Sequence, residues 1–453
     1  MQQSQTTVGG FRGFVRGIRT RPRNENWADP AFAETANNLY AEFKSDASAR
    51  DASAEKIQAY FELLRMDWGV EVIPSVVERL RDSGASTAVI AGAFLTSMNA
   101  GGRHEAAVPV LERLYLSSPA DPVVALRLAE SYSATGEFCK LRRLSREAAA
   151  GLNFGQWAVG QWAQLLVNAL QLEEAALFIR RITKDEKLKA ELELRMSSLT
   201  SGYGRFPIPS LVINLAQENR KLAITDKLLR AVGVYSMRLD AVDARNLPGY
   251  ALRKLAADEG YLAAQGPSSI ATALSHIKAL ESAARREKPT LILEDDVVPY
   301  ASPDLDFLED LYDDKLDLLF VNRRMSFPDL RQRGPRVVSA WSVLEKRKRE
   351  YNGIGADAYF VTPSGANKIL DLFVRDGIHG HYDWQLGAYA VATEASAQKP
   401  ISASQKIVKQ RLSRLSCPEN FRTGALSIPL FTAVDHGVSN TTDISRELLA
   451  TWA

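Results

Sequence analysis

In the first half of the chain, three similar junctions return at nearly equal intervals. Asn99-Ala100-Gly101-Gly102-Arg103-His104-Glu105-Ala106-Ala107, Ser133-Ala134-Thr135-Gly136-Glu137-Phe138 and Asn168-Ala169-Leu170-Gln171-Leu172-Glu173-Glu174-Ala175 start at residues 99, 133 and 168, hence 34 and 35 residues apart. From about Asp51 to Leu199 apolar residues recur at helical spacing, with Pro and Gly mostly at the junctions. One such unit cannot bury its own apolar face, so neighbouring units must stack and share a continuous core. After Gly202, Gly204, Pro207 and Pro209 the pattern changes to short β-branched runs alternating with helical segments. That alternation implies a mostly parallel sheet in an α/β domain. The chain therefore reads as an N-terminal extension (1–50), an all-α helical-repeat domain (51–204) and an α/β domain (205–453). Its 453 residues exceed the size at which a single core usually stops growing.

The repeat period resembles that of tetratricopeptide proteins, built as helix, short turn, helix. The resemblance covers three to four units and rests on period more than on consensus. Pro119 and Pro122 sit where one unit hands over to the next. His104 is expected on a solvated turn. Nothing in this half looks catalytic; it is suited to binding a protein partner, presenting substrate or self-association.

A net charge of +2 with 24% charged residues argues against disorder and against a strongly basic nucleic-acid binder. Cys139 and Cys417 are too few for a disulfide framework and lack a close-spaced metal pattern. No apolar run is long enough to span a bilayer, and the N-terminus has no apolar signal core, so a reducing, cytoplasmic setting is expected. Arg12, Arg16, Arg19, Arg21 and Arg23 interleave with Phe11, Phe14, Val15 and Ile18. This segment is either a peripheral contact with the inner face of the membrane or a ragged basic terminus.

Chemistry concentrates at Leu291-Ile292-Leu293-Glu294-Asp295-Asp296-Val297-Val298. An apolar run of this length reads as a buried strand. Three carboxylates where it ends would cost several kcal/mol without partners. A divalent cation removes that penalty, and carboxylate oxygens suit Mg2+ or Mn2+. The alternative is that the acids cap a helix or lie on a solvated turn. Further strands are expected at Ser210–Leu215, Tyr235–Val242, Leu316–Val321 and Ala356–Val361, with helices at Leu222–Val232 and Ala271–Ala284. No Gly-x-Gly-x-x-Gly or Walker sequence occurs.

Several of these motifs stand in the order and spacing of glycosyltransferase family 25, which the second half resembles. They are Val212-Ile213-Asn214-Leu215 with Arg220, Arg238-Leu239-Asp240-Ala241-Val242-Asp243, Leu274-Ser275-His276-Ile277-Lys278 and Leu291–Asp296. Ala358-Tyr359-Phe360-Val361-Thr362 with Gly365–Leu370, Tyr382-Asp383-Trp384, Pro429, His436 and Ser439 follow. The resemblance spans about residues 207–445. Asn322-Arg323-Arg324 departs from it, standing where many members have a glycine. The family includes bacterial lipooligosaccharide galactosyltransferases and collagen galactosyltransferases.

The resemblance implies an inverting, GT-A-like enzyme that moves a hexose, galactose first, from a UDP-sugar donor to a hydroxyl. The acceptor would be a glycan such as lipopolysaccharide, a lipid-linked glycan or a protein. It implies Mn2+ (or Mg2+) held by Glu294, Asp296 and His436, with Asp295 on the ribose or a metal-bound water. Asn214, Arg220, Asp240, Asp243, Ser275 and His276 fall at the donor side, although His276 could equally be a satisfied buried histidine. Asp383 is the candidate base, or a cap on the helix after it; His379 and His381 are alternatives. Arg323, Arg324, Arg331, Arg333 and Arg336 with Lys346–Arg349 could steer an acidic acceptor or form a solvated face. A different class remains open: an inactive transferase-like domain on a repeat scaffold that binds glycan or protein. A metal-dependent hydrolase is a further class, disfavoured by the motifs.

Overall fold

The turns of the first half show why its helices start and stop where they do. Asp121 accepts hydrogen bonds from the backbone N–H groups of Val123 and Val124 at 2.9 and 3.2 Å, with Pro122 opening the helix behind it. Gly136 closes that helix at φ +72°, in the left-handed region that glycine adopts without steric cost. The computed structural model describes residues 26, 28–44, 52–100, 103–200, 208–249, 255, 266–301, 308, 315–326, 336–346 and 354–434.

The chain divides into two compact units, the first taking residues up to 166 together with 171–184. Its helices are α1 Pro30–Glu42, α2 Ala54–Trp68, α3 Ile73–Asp82, α4 Thr87–Ala100, α5 His104–Ser117, α6 Pro122–Thr135, α7 Phe138–Gly151, α8 Gln156–Asn168 and α9 Leu172–Ile179. Helices α5, α7 and α9 begin at 104, 138 and 172, 34 residues apart, so the repeat period is present as helical pairs. His104 departs from expectation. It opens α5 and is buried, because the first turn of that helix lies inward where a solvated turn was expected.

The second unit holds 167–170 and 185 onward among the described residues. It takes in α10 Glu186–Thr200, which lies ahead of the boundary expected at 204. Its main sheet has the order β2-β1-β3-β7-β5-β8-β6. The strands are β1 Ser210–Asn214, β2 Ser236–Asp240, β3 Thr290–Glu294, β5 Leu318–Phe320, β6 Val337–Val338, β7 Ala358–Val361 and β8 Thr423–Leu426. β4 Val297–Pro299 and β9 Phe431–Ala433 form a separate antiparallel pair.

The sheet is mixed, not mostly parallel. β1 runs parallel to β2 and β3, and β5 to β8, but β7 is antiparallel to both β3 and β5, as β6 is to β8. A strand buried on both faces is apolar throughout, so its composition carries no mark of its direction. Here Ile213, Ile292, Phe320, Tyr359 and Val361 enter the core on one face. The alternate residues Val212, Leu291, Leu293, Leu319 and Phe360 are buried as well.

Helices α11 Asn219–Ala231, α12 Pro267–Ala284, α13 Ala340–Lys346, α14 Pro363–Asp376, α15 Tyr382–Ala397 and α16 Ala403–Leu412 complete the described part. The core binds α12, α14 and α15 to the sheet through Ile270, Ala273, Leu280, Ile369, Leu372, Leu386 and Tyr389. Gly365 lets α14 start hard against the sheet; a Cβ there would lie 2.1 Å from the Asp317 carbonyl oxygen. Because β7 is antiparallel, its N-terminal end lies beside the C-terminal ends of β3 and β5. Polar residues flanking three neighbouring strands therefore gather at one edge of the sheet. Among the described residues, no helix is long and apolar enough to cross a membrane.

Candidate active site

The edge is built by register. Leu293 pairs with Ala358, so the next residues outward, Glu294 and Asp357, meet across the strands, and the Glu294 N–H donates to the Asp357 carbonyl at 2.9 Å. On the other side Ile213 pairs with Glu294, which brings Asn214 to Asp295; Asn214 Nδ2 donates to Asp295 Oδ2 at 2.7 Å and to the Glu218 carbonyl at 3.1 Å. Thr225 Oγ1 donates to the Asp295 carbonyl at 2.6 Å, tying α11 to the acid turn. Val434 N–H donates to the Asp296 carbonyl at 2.9 Å.

Two further acids join this turn from distant parts of the chain. Asp383, in the first turn of α15, accepts from Ala356 N–H at 3.2 Å and pairs through Oδ2 with Arg324 at 3.3 Å. The N-cap residue of that helix is His381, not Asp383, and the charge of Asp383 acts on Glu294. Asp357 is 0% exposed and pairs with Arg324, whose Nη2 lies 2.8 Å and Nε 2.9 Å from Oδ1. No motif in the sequence singled out Asp357, and Arg324 stood out only within Asn322-Arg323-Arg324 and the basic run, not as a partner of the acids.

Arg324 reaches inward because of its neighbours. Asn322, fully buried, donates through Nδ2 to the carbonyls of Gly355 (2.6 Å) and Ala358 (3.2 Å) and accepts the Met325 N–H at 2.7 Å. This caps the short turn Arg323–Met325. Gly355 leaves room for the guanidinium, since a Cβ would lie 2.1 Å from Arg324 Nε. Of the basic stretch, Arg323 and Arg324 are both engaged in ion pairs. Arg331, Arg333 and 347–349 lie outside the described residues.

Behind the acids stands an aromatic support. His276 Nε2 lies 3.1 Å from Glu294 Oε1, and its Nδ1 3.2 Å from the Tyr359 hydroxyl, which in turn meets the Tyr382 hydroxyl at 3.0 Å. The His276 ring stacks on Tyr382 with centroids 4.0 Å apart. At 1% exposure His276 is closed off from a donor, so any role it has passes through Glu294. Ser275 Oγ donates to the Ala271 carbonyl and accepts Val242 N–H at 2.8 Å, holding the end of the β2 segment to α12.

The remaining donor-side residues spread outward. Asp240 is exposed, ion-paired with Arg238 at 3.0 Å. Asp243 caps the turn Ala244–Asn246 and pairs with Arg245 at 2.6 Å. Arg220 is half-buried in the first turn of α11. The neighbouring cation Lys221, not singled out by motif, is the one whose charge acts on Asp295. His436 lies outside the described residues, two positions past Val434.

Electrostatics mark the cluster as starved of positive charge. Burial, then Asp383, pushes the Glu294 carboxyl up to about 8. Burial, then Glu294 and Asp357, raises Asp296 well above the carboxylate range. Burial lowers His276 to about 4, keeping it neutral at pH 7. Burial works against the charge on Arg324, but Asp357, Asp383 and Glu294 outweigh it and hold its pKa above the ordinary value. The Glu294 side chain keeps 26% accessibility, so these groups sit in a recess: crowded by protein, yet open to a small ligand.

A divalent cation fits this donor set. Asp296 Oδ1 and Asp357 Oδ2 are buried oxygens without a hydrogen-bond partner among the described residues, an arrangement costly unless a cation or proton arrives. The side-chain oxygens of Glu294, Asp296 and Asp357 are hard donors, as Mn2+ and Mg2+ prefer. No three of His, Cys, Asp and Glu form a preformed cage among the described residues. Mg2+-type sites commonly use one or two carboxylates and complete their shell with substrate phosphates and water.

No curated protein matches the chain. Residues 208–376, from β1 to the end of α14, match the family model of Glycosyltransferase family 25 (LPS biosynthesis protein), a span that holds every acid of the cluster except Asp383. The sheet unit accordingly carries a family 25 glycosyltransferase domain.

Proposed function

We propose that the chain is an inverting, divalent-cation-dependent hexosyltransferase of GT-A type. In this reading it moves galactose from UDP-galactose to a hydroxyl of a glycan, lipid-linked glycan or protein in the cytoplasm. The observation that carries it is the unpartnered buried oxygen of Asp296 at the end of a central strand. Open α/β sheets bind ligands beyond the C-terminal ends of their strands. Asp296 is the residue assigned to the cation, with Glu294 beside it. His436 is the third ligand in this reading, supported by the backbone bond that draws Val434 to Asp296. When bound, a cation of this kind offsets the charge that develops on a leaving diphosphate.

The chain's own groups then divide the work. His276 and the paired tyrosines keep Glu294 aimed into the recess. Asn214 and Thr225 hold Asp295 and its turn, placing Asp295 to accept from a ribose hydroxyl or a bound water. Arg220, Asp240 and Asp243 border the nucleotide side, and Ser275 holds that border in place. Asp383 is the general base: it takes the proton of the acceptor hydroxyl as that oxygen bonds to the anomeric carbon and the bond to the diphosphate breaks. Arg324 and Ala356 N–H orient its carboxylate. The helical unit is read as a tetratricopeptide-like scaffold for a protein partner, supported by the 34-residue spacing and by exposed Trp68 and Trp157.

Calorimetric titration of the whole protein with a panel of nucleotide sugars, with and without Mn2+, tests this reading. Mn2+-dependent binding of UDP-galactose is expected. Binding of a different nucleotide sugar would replace the donor, and binding of none by folded protein would favour the inactive scaffold.

A further inference from the structure

Helix α10 lies ahead of the family-matched span, and it reaches the site by a route no motif marks. Arg195 on α10 is 2% exposed, and its guanidinium stacks 4.4 Å over the Tyr300 ring. Its Nε donates to the Tyr300 carbonyl at 3.2 Å, fixing the residue that follows β4. One turn earlier, Glu191 Oε1 accepts two hydrogen bonds at once: the Tyr300 hydroxyl at 2.8 Å and Arg323 Nη2 at 3.0 Å. Arg323 adjoins Arg324, the cation that holds Asp357 and Asp383.

Two adjacent arginines on a three-residue turn, beside several carboxylates, could exchange places. Glu191, on the outer side, holds the Arg323 guanidinium, while Arg324 extends to Asp357 and Asp383. We propose that Glu191 is a positioning residue for the transferase site, selecting Arg324 over Arg323 as the counter-cation of Asp357 and Asp383. The catalytic unit then begins at α10 and not at β1. The inference rests on the proposed cation and donor site only for its functional consequence; the positional part stands on contacts alone.

The test uses the full chain with Glu191→Gln, Arg323→Met and the double variant. Amide hydrogen exchange at Met325 and Ser326 reads the turn directly. Each single variant is expected to speed exchange there by about tenfold, with Ile292 and Leu319 unchanged and the melting temperature retained. Affinity for Mn2+ with UDP-galactose should fall by about tenfold in each. The double variant should be no worse than either single, because both remove one interaction. Glu191→Asp, which keeps the charge, should return affinity to within about threefold of the parent, whereas a purely structural role would not follow charge.

Unchanged exchange at Met325 in both single variants would overturn the proposal, as would additive losses in the double. If the parent protein binds neither Mn2+ nor UDP-galactose, the functional reading fails while the exchange result still decides the positional one.

Discussion

Two short turns, after β3 and after β5 on either side of β7, border the site, and they are built on opposite plans. Glu294–Asp296 concentrates negative charge at the end of an apolar strand, with Asn214, Thr225 and His276 as its supports. Asn322–Met325 uses a neutral, fully buried asparagine as its frame and sends one arginine inward. The second only partly neutralises the first. Arg324 pairs with Asp357 and Asp383 and leaves Asp296 with an unpartnered oxygen. The charge left unanswered by this geometry is what the proposed cation, or a proton, would offset.

The largest effect is expected at Asp296. Asp296→Ala should lower cation-stimulated transfer by roughly 10²–10³-fold, the scale of losing a main electrostatic contact. Its melting temperature should hold or rise, since a buried, repelled carboxylate is removed; normal activity in a transfer assay would refute the assignment. Asp383→Asn should cost roughly 10²–10⁴-fold in turnover, as loss of a base does, while calorimetry shows donor binding retained. Retained turnover would remove it as the base.

Arg324→Met attacks the opposite turn. It strands Asp357, which is 0% exposed, without its partner, and should destabilise by about 3 kcal/mol in chemical denaturation. Adding Asp357→Asn should recover much of that loss, which a double-mutant cycle reads. Without recovery, the pair is not what the turn contributes.

The acid turn also responds to pH without any mutation. A carboxyl whose folded pKa is raised binds more protons folded than unfolded, so its contribution falls as pH rises from the ordinary carboxyl range toward about 8. His276 acts in the other sense: its lowered value costs stability as pH falls from the ordinary 6.5 toward about 4. Above pH 6.5 only the carboxyl effect remains. Metal-free protein should therefore lose melting temperature between pH 6.5 and 8, and Mn2+ should flatten that slope by favouring the ionised carboxylates. An identical slope with and without Mn2+ would count against a cation at these acids.

The smallest effect belongs to Asp240. Its pair with Arg238 is solvent-exposed, so Asp240→Ala should shift stability by less than about 1 kcal/mol. A severalfold rise in donor KM with that near-zero stability change would keep it at the donor border.

The acid turn was legible because its parts are contiguous: an apolar run and three carboxylates within six positions announce a strand end that needs a partner. Helical pairing was legible for the same reason, as its period is local. The pairing of Arg324 with Asp357 and Asp383 was not legible, because a run of arginines carries no sign of which one meets the acids. Asp357 was invisible because a lone aspartate before a strand is common, and only antiparallel register sets it against Glu294. His276 stood out as a residue but not in its role, since a stacked tyrosine and a hydrogen-bonded glutamate arrive from other elements.

Sequence patterning alone was enough to find where chain character changes, the strands β1, β2, β3, β5 and β7, and where negative charge accumulates, but not β4, β6, β8, β9, α13 or α16. These depend on periodicity and on the cost of burying ionised groups, both of which are local. The tertiary structure decided strand direction, which acids converge and which arginine answers them. Those follow from register and close packing between segments tens of residues apart, where a one-residue shift would send each side chain to the other face of the sheet.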